Sequence, residues 1–216
     1  MSTIATSYFP QPVMERLNDG QHDNLAELRK VTVLFMRLPD FDIDGLDEPE
    51  TPGARGHRSK RKPSGSTGHH VSPLAEFQRV VQVIQRIIFK YDGIIRQLIT
   101  DDKGTIVIAV FGLTSSSDTA GKGVISALLI AKELESNSEG AVKLSIGITT
   151  GQAYCGIVGN ASRCEYAVVG DMVNTSARIM SKVKKILGTD GILCDYDTYL
   201  RCSQSPRRYG HGIIEA

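Results

Sequence analysis

The chain switches repeatedly between two hydrophobic periods. Val31–Leu38, VTVLFMRL, is an apolar, β-branched run stopped by Pro39, the composition of a buried strand. From Pro73 the period becomes helical. Leu74, Phe77, Val80, Val81, Ile84, Ile87 and Ile88 share one face, with Ser72 placed as N-cap and Pro73 at the first helical position. Gly93–Thr100 and Thr105–Phe111 read as strands joined by the hairpin signal Asp101-Asp102-Lys103-Gly104. A second helix is predicted over Ala120–Leu134. Val142–Thr150 reads as a strand, Gly151–Gly159 as a turn and strand, and Glu165–Val169 as another strand. A third helix follows Gly170, with Asp171 as its N-cap and Val173, Ala177, Met180, Val183 and Leu187 as its core stripe. A short strand, Ile192–Cys194, and a polar helix near Tyr196–Leu200 close the pattern.

Two stretches lack any period. Residues 1–27 are polar and read as a lead-in, with a short helix near Leu25–Leu28. Residues 40–72 are rich in Asp, Gly, Pro, Ser, Arg and His, which predicts a disordered loop insertion within a domain spanning 28–216. The element order matches a βαββαβ ferredoxin-like core, an α+β fold in which helices pack on an antiparallel sheet.

Composition narrows the function classes. With 25 Lys plus Arg against 24 Asp plus Glu in 216 residues, the net charge is +1, without the basic excess of a nucleic-acid binder. Six acids and five bases of that balance fall within residues 40–62, inside the predicted insertion. Cys155, Cys164, Cys194 and Cys202 form no C-x-x-C pair, which fits a reduced, cytoplasmic setting. The N-terminus has no signal-peptide pattern, and no apolar run approaches the ~18 residues of a membrane span.

Inside the insertion, Asp40, Asp42, Asp44 and Gly45 match half of a calcium loop, but Thr51 stands where the bidentate glutamate belongs. The basic run Arg58, Lys60, Arg61 and Lys62 reads as a solvated loop, and His57, His69 and His70 have no partners at metal spacing. The chemistry concentrates instead in EYAVVGDMVNTSARIMSKVKK, Glu165–Lys185. Asn174 and Arg178 lie four residues apart on one helical face, an amide above a guanidinium. Such a pair suits a sugar and a phosphate. The plain alternative is a solvated helix face.

EYAVVGD-x-VN-x-x-AR, preceded by SIGITTGQAYCGIVG at Ser145–Gly159, resembles the class III nucleotidyl cyclase catalytic domain. LRKVTVLF at Leu28–Phe35 and DDKGTIVIAVFG at Asp101–Gly112 extend the likeness, which runs from Leu28 to Leu200 apart from the insertion. It is nearest in pattern to the second catalytic half (C2) of soluble, bicarbonate-responsive adenylyl cyclases. The resemblance implies a two-half enzyme that converts ATP to cyclic AMP and pyrophosphate. A C1-like half, in the same chain or another subunit, is the partner and mainly holds Mg²⁺ or Mn²⁺. Asn174 then orients the ribose, and Arg178 stabilises the transition state.

The departures are equally specific. Arg37 stands where the family's first metal aspartate belongs, leaving Asp101 or Asp102 of the hairpin as the remaining carboxylate. Gln97 and Ala167 occupy the base-binding positions usually held by lysine and by threonine or aspartate. Gln97 can donate and accept, Ala167 can do neither, and Arg96 is a neighbouring substitute. Gly147, Gly151, Gly156 and Gly159 are expected in tight turns and close strand packing at a dimer face. Two other readings remain: a catalytically degenerate module acting in dimerisation or regulation, and an unrelated ferredoxin-like binding module. The second of these lacks the exposed aromatic run of an RNA-binding sheet.

Overall fold

The structure, a computed structural model, describes residues 27–38, 73–101, 104–113, 118–136, 142–160 and 163–204. The predicted lead-in before Glu27, its cap at Ser72, Asp102 and the predicted insertion lie outside the described residues.

The elements run β1 (Glu27–Arg37), α1 (Pro73–Lys90), β2 (Gly93–Asp101), β3 (Gly104–Phe111), α2 (Thr119–Ser136), β4 (Ser145–Asn160), β5 (Arg163–Val169), α3 (Asp171–Leu187), β6 (Gly191–Cys194) and α4 (Tyr196–Gln204). The sheet order is β2-β3-β1-β4-β5, all antiparallel, and β6 adds to β4 in parallel, so the α+β sheet is mixed. β1 is central, flanked by β4 along its whole length and by β3 over Thr32–Arg37.

Alternation along β1 divides the core into two layers. Leu34 and Met36 face one way, joining Val80, Ile84, Ile87 and Ile88 of α1, Ala127, Ile130 and Leu134 of α2, and Cys202 of α4. Val31 and Val33 face the other way, with Val110, Ala153, Cys155, Tyr166 and Met172. Helices α1, α2 and α4 thus cover one face. α3 packs on the other, against β4, β1 and β6.

Several local expectations change. Glu27 and Leu28 begin β1 rather than ending a helix. In α1, Val83 is buried and Leu74 is 52% exposed, because the stripe turns inward only from Val80. β4 is one 16-residue strand that runs straight through Gly151. Gly147 and Gly151 therefore serve helix packing, while Gly159, at φ 130°, takes a backbone conformation that favours glycine. A Cβ on Gly147 would overlap the Ser176 carbonyl oxygen and stand 2.5 Å from the Met180 amide nitrogen. One on Gly151 would meet Met172 Cγ at 3.1 Å. α3 consequently buries Met172, Ser176, Met180 and Val183, a stripe rotated from the predicted one. The small Ser176 fits against glycine where a larger apolar residue would not.

Helix entry is also revised. Gly170 is the N-cap of α3, in extended backbone, and Asp171 makes no side-chain cap bond. Asp171 is an exposed first-turn acid, favourably placed for the helix dipole. Asp118 and Asp195 are the carboxylates that do cap, accepting from Gly121 N–H and Thr198 N–H, each at 3.0 Å.

Candidate functional site

The face of the sheet that carries α3 is only partly covered. α3 lies over β4, which leaves the same side of β2 and β3 free of any described helix. The register lays out two cross-strand rows there: Gln97–Ile108–Phe35–Gly147, and Ile99–Ile106–Arg37–Ser145. Ile99, at the end of the second row, is 37% exposed.

Beside the first row is an open cavity of about 110 Å³, lined by Val33, Arg96, Gln97, Ile108, Val110, Val168 and Val173. Five aliphatic side chains form its walls, and an amide and a guanidinium supply its polar groups. That combination suits a flat heteroaromatic ring. Two consecutive residues of β2 reach it because the register shifts between Ile95 and Gln97. The extra residue of this bulge, Arg96, breaks the alternation, so Arg96 and Gln97 address the same side.

Ala167 pairs with Gly156 and is 7% exposed, but it is Val168, its neighbour, that lines the cavity. Strand alternation turns Ala167 to the opposite side of the sheet. The two base-position residues of the sequence reading are thus not brought together in this chain. Val168 and Arg96 are the residues that join Gln97.

Asn174 and Arg178 are both exposed on α3. At ~100° per residue they fall on the side away from the buried Met172–Ser176–Met180 stripe. Among the described residues, neither side chain has a hydrogen bond or ion pair. Four other basic groups of the packed helices are engaged: Arg79 with Glu76, Arg86 with Glu133, Lys122 with Asp92 and Lys184 with Asp190. Val173 points into the cavity one residue before Asn174, so the first turn of α3 links the apolar recess to the amide–guanidinium pair.

Arg37 ends β1 on the same open side. Its Nε is buried without a hydrogen-bond partner. Among the described residues, no group of three His, Cys, Asp or Glu side chains converges to hold a metal. The Arg37 guanidinium, a permanent cation, does not fit as a ligand of a divalent cation. Of the hairpin carboxylates, Asp101 is placed by its backbone alone, pairing with Gly104.

The model of the adenylate and guanylate cyclase catalytic domain matches residues 72–187. The chain belongs to this family. It is 28% identical to adenylate cyclase type 10 of Oryctolagus cuniculus over 196 residues, 89% of this chain and 10% of that protein. The chain therefore spans about a tenth of the length of that relative. Among solved structures, a bacterial light-regulated adenylyl cyclase superposes with TM-score 0.65 at 18% identity, covering 92% of this chain and 53% of that one. The guanylate cyclase domain of RhGC from Catenaria anguillulae, in complex with GTP, gives 0.55 at 20% identity, with 82% and 83% covered. These likenesses establish the class III cyclase fold. No described helix is long and apolar enough to cross a membrane.

Proposed function

We propose that this cyclase domain is the C2-like half of an adenylyl cyclase, converting ATP to 3′,5′-cyclic AMP and pyrophosphate when paired with a C1-like half. The observation that carries this reading is the exposed, unpartnered Asn174–Arg178 pair on a helix fixed in place by Gly147. Asn174 orients the ribose by hydrogen bonding. Arg178 places a permanent charge where the attacked α-phosphate becomes more negative, which lowers the barrier because the guanidinium is already in position. Gln97 addresses the base from the valine-lined recess, its amide able to accept from an exocyclic amine while donating to a ring nitrogen. Divalent metal, Mg²⁺ or Mn²⁺, belongs to the partner half, where it supplies Lewis acidity.

Mixing the domain with a metal-competent half and following cyclic AMP tests the reading. Activity should require both halves and disappear in Arg178→Ala. An unchanged rate in that variant overturns it. A second reading, a degenerate module acting through dimerisation or regulation, is favoured by Arg37, Gln97 and Ala167, and it predicts partner binding with no response to Arg178→Ala.

A further inference from the structure

Arg37 is a strand residue whose chemistry the proposed reaction leaves unused. Its register neighbours are Ile106 on β3 and Ser145 on β4, and Phe35 precedes it on the same side of β1. The side chain crosses an apolar surface with its Nε out of solvent and without an acceptor. A cation held this way is stabilised by an anion, since a partly desolvated, unpaired charge is costly.

The chain does not provide that anion among its described side chains. Asp190, held by Ser145 of the same cross-strand row, is already engaged. Asp190 Oδ1 accepts from Ser145 Oγ at 2.5 Å, and Oδ2 pairs with Lys184 Nζ at 3.4 Å. Arg96 adds a second guanidinium to the same open side, one cross-strand row away. Neither arginine has a described ion pair.

We propose that Arg37 is a fixed cation that binds a phosphate-class anion, the oligophosphate of a nucleotide or free pyrophosphate, without a divalent metal. The inference rests on the nucleotide reading above for the identity of the anion, but it concerns a different residue and a different event. A metal site needs its cation delivered from solution. Here the charge is covalently attached, and its planar fork matches two phosphate oxygens at once. Binding is therefore insensitive to chelators and weakens with salt.

The test is calorimetric titration of the full 216-residue chain with inorganic tripolyphosphate and, separately, with ATP, in EDTA at low salt. Wild type should bind both. Arg37→Met keeps the apolar stem over Ile106 and Phe35 and should weaken both at least tenfold, with unchanged circular dichroism. Arg37→Lys should recover part of the loss. Tighter binding of ATP than of tripolyphosphate assigns the site to a nucleotide, and equal binding assigns it to free oligophosphate. Either supports the proposal.

Absence of metal-free binding by wild type overturns it, as does equal binding by Arg37→Met. If Arg37→Met keeps polyphosphate binding but loses association with the metal-competent half, the anion is a partner carboxylate and the proposal also falls. Arg178→Ala in the cyclase assay reports on the catalytic reading separately, so the two failures are told apart.

Discussion

Gly147 of β4 lies directly beneath Met180 of α3, with the Ser176 carbonyl over the same spot. The obstructing atoms are backbone, so no rotamer change relieves a methyl group there. Gly147→Ala should cost about 3 kcal/mol or more, the upper end of overpacking effects. Gly151→Ala meets only the flexible Met172 side chain and should cost about 1 kcal/mol or less. Urea denaturation of the two variants checks the ranking, and equal losses would refute the packing argument.

Four buried hydroxyls connect the sheet to two helix starts. Thr119 lies 3.1 Å from Thr32, Thr32 2.9 Å from Thr150, and Thr150 2.8 Å from Thr198. Thr150→Val removes two of the three links and strands the Thr198 hydroxyl, while Thr32 keeps its bond to Thr119. The expected loss is about 1–3 kcal/mol of unfolding free energy, and adding Thr32→Val should cost a further increment, since Thr119 then loses its partner.

Asn174 and Arg178 are exposed and unpartnered, so stability should not register their removal. Arg178→Ala should leave the melting temperature within about 2 °C of wild type, because surface changes of this kind fall within about ±0.5 kcal/mol. Cyclic AMP formation with a metal-competent half should fall about 10²-fold or more. Arg178→Lys should recover little of it, as an ammonium lacks the planar fork.

The recess on the open face should control the base. Gln97→Ala should raise KM for ATP with little change in kcat, the pattern of a group that holds substrate and transition state alike. Arg96→Ala should alter the ATP-to-GTP preference, because arginine pairs readily with the acceptor edge of guanine and glutamine with adenine. Steady-state kinetics with both nucleotides reads each effect.

Burial pushes the Cys155 thiol up to about 11 and that of Cys202 up to about 12. Both raised values favour the neutral thiol in the folded state. Their contribution to stability is complete below about pH 9, the unfolded value, and is lost as pH rises toward 11–12. Denaturation from pH 7 to 10.5 should show a decline beginning near pH 9, and Cys202→Ala should reduce its slope. Alkylation at pH 8 should be slow for both thiols until denaturant is added.

Much of this fold was readable from hydrophobic period alone. Val31–Leu38, the Gly93–Phe111 hairpin and the three long helices sit where their apolar spacing put them, because each buries a single continuous face. The features that escaped are those decided by a neighbour. Ser176 is on the core stripe of α3 only because Gly147 brings β4 so near. Gly151 looked like a turn residue, yet its missing side chain makes room for Met172 within an unbroken strand. Arg96 reaches the recess through a bulge, and no local propensity marks the extra residue. Asp171 has the composition of a cap, while Gly170 takes the position. The site followed the same division. Asn174 and Arg178 were visible as an i,i+4 pair, whereas the turning away of Ala167 depends on pairing with Gly156.

The glycine seam between β4 and α3 has a mechanical consequence. With Met180 and Ser176 seated on backbone at Gly147, the helix has no slack to slide or tilt against the sheet. Asn174 and Arg178 are therefore carried like teeth on a solid gear, at a constant distance from the central strand. An effector that changes their reach toward a substrate has to swing the domain as a block. The adjustable part of such a machine is the joint between its halves.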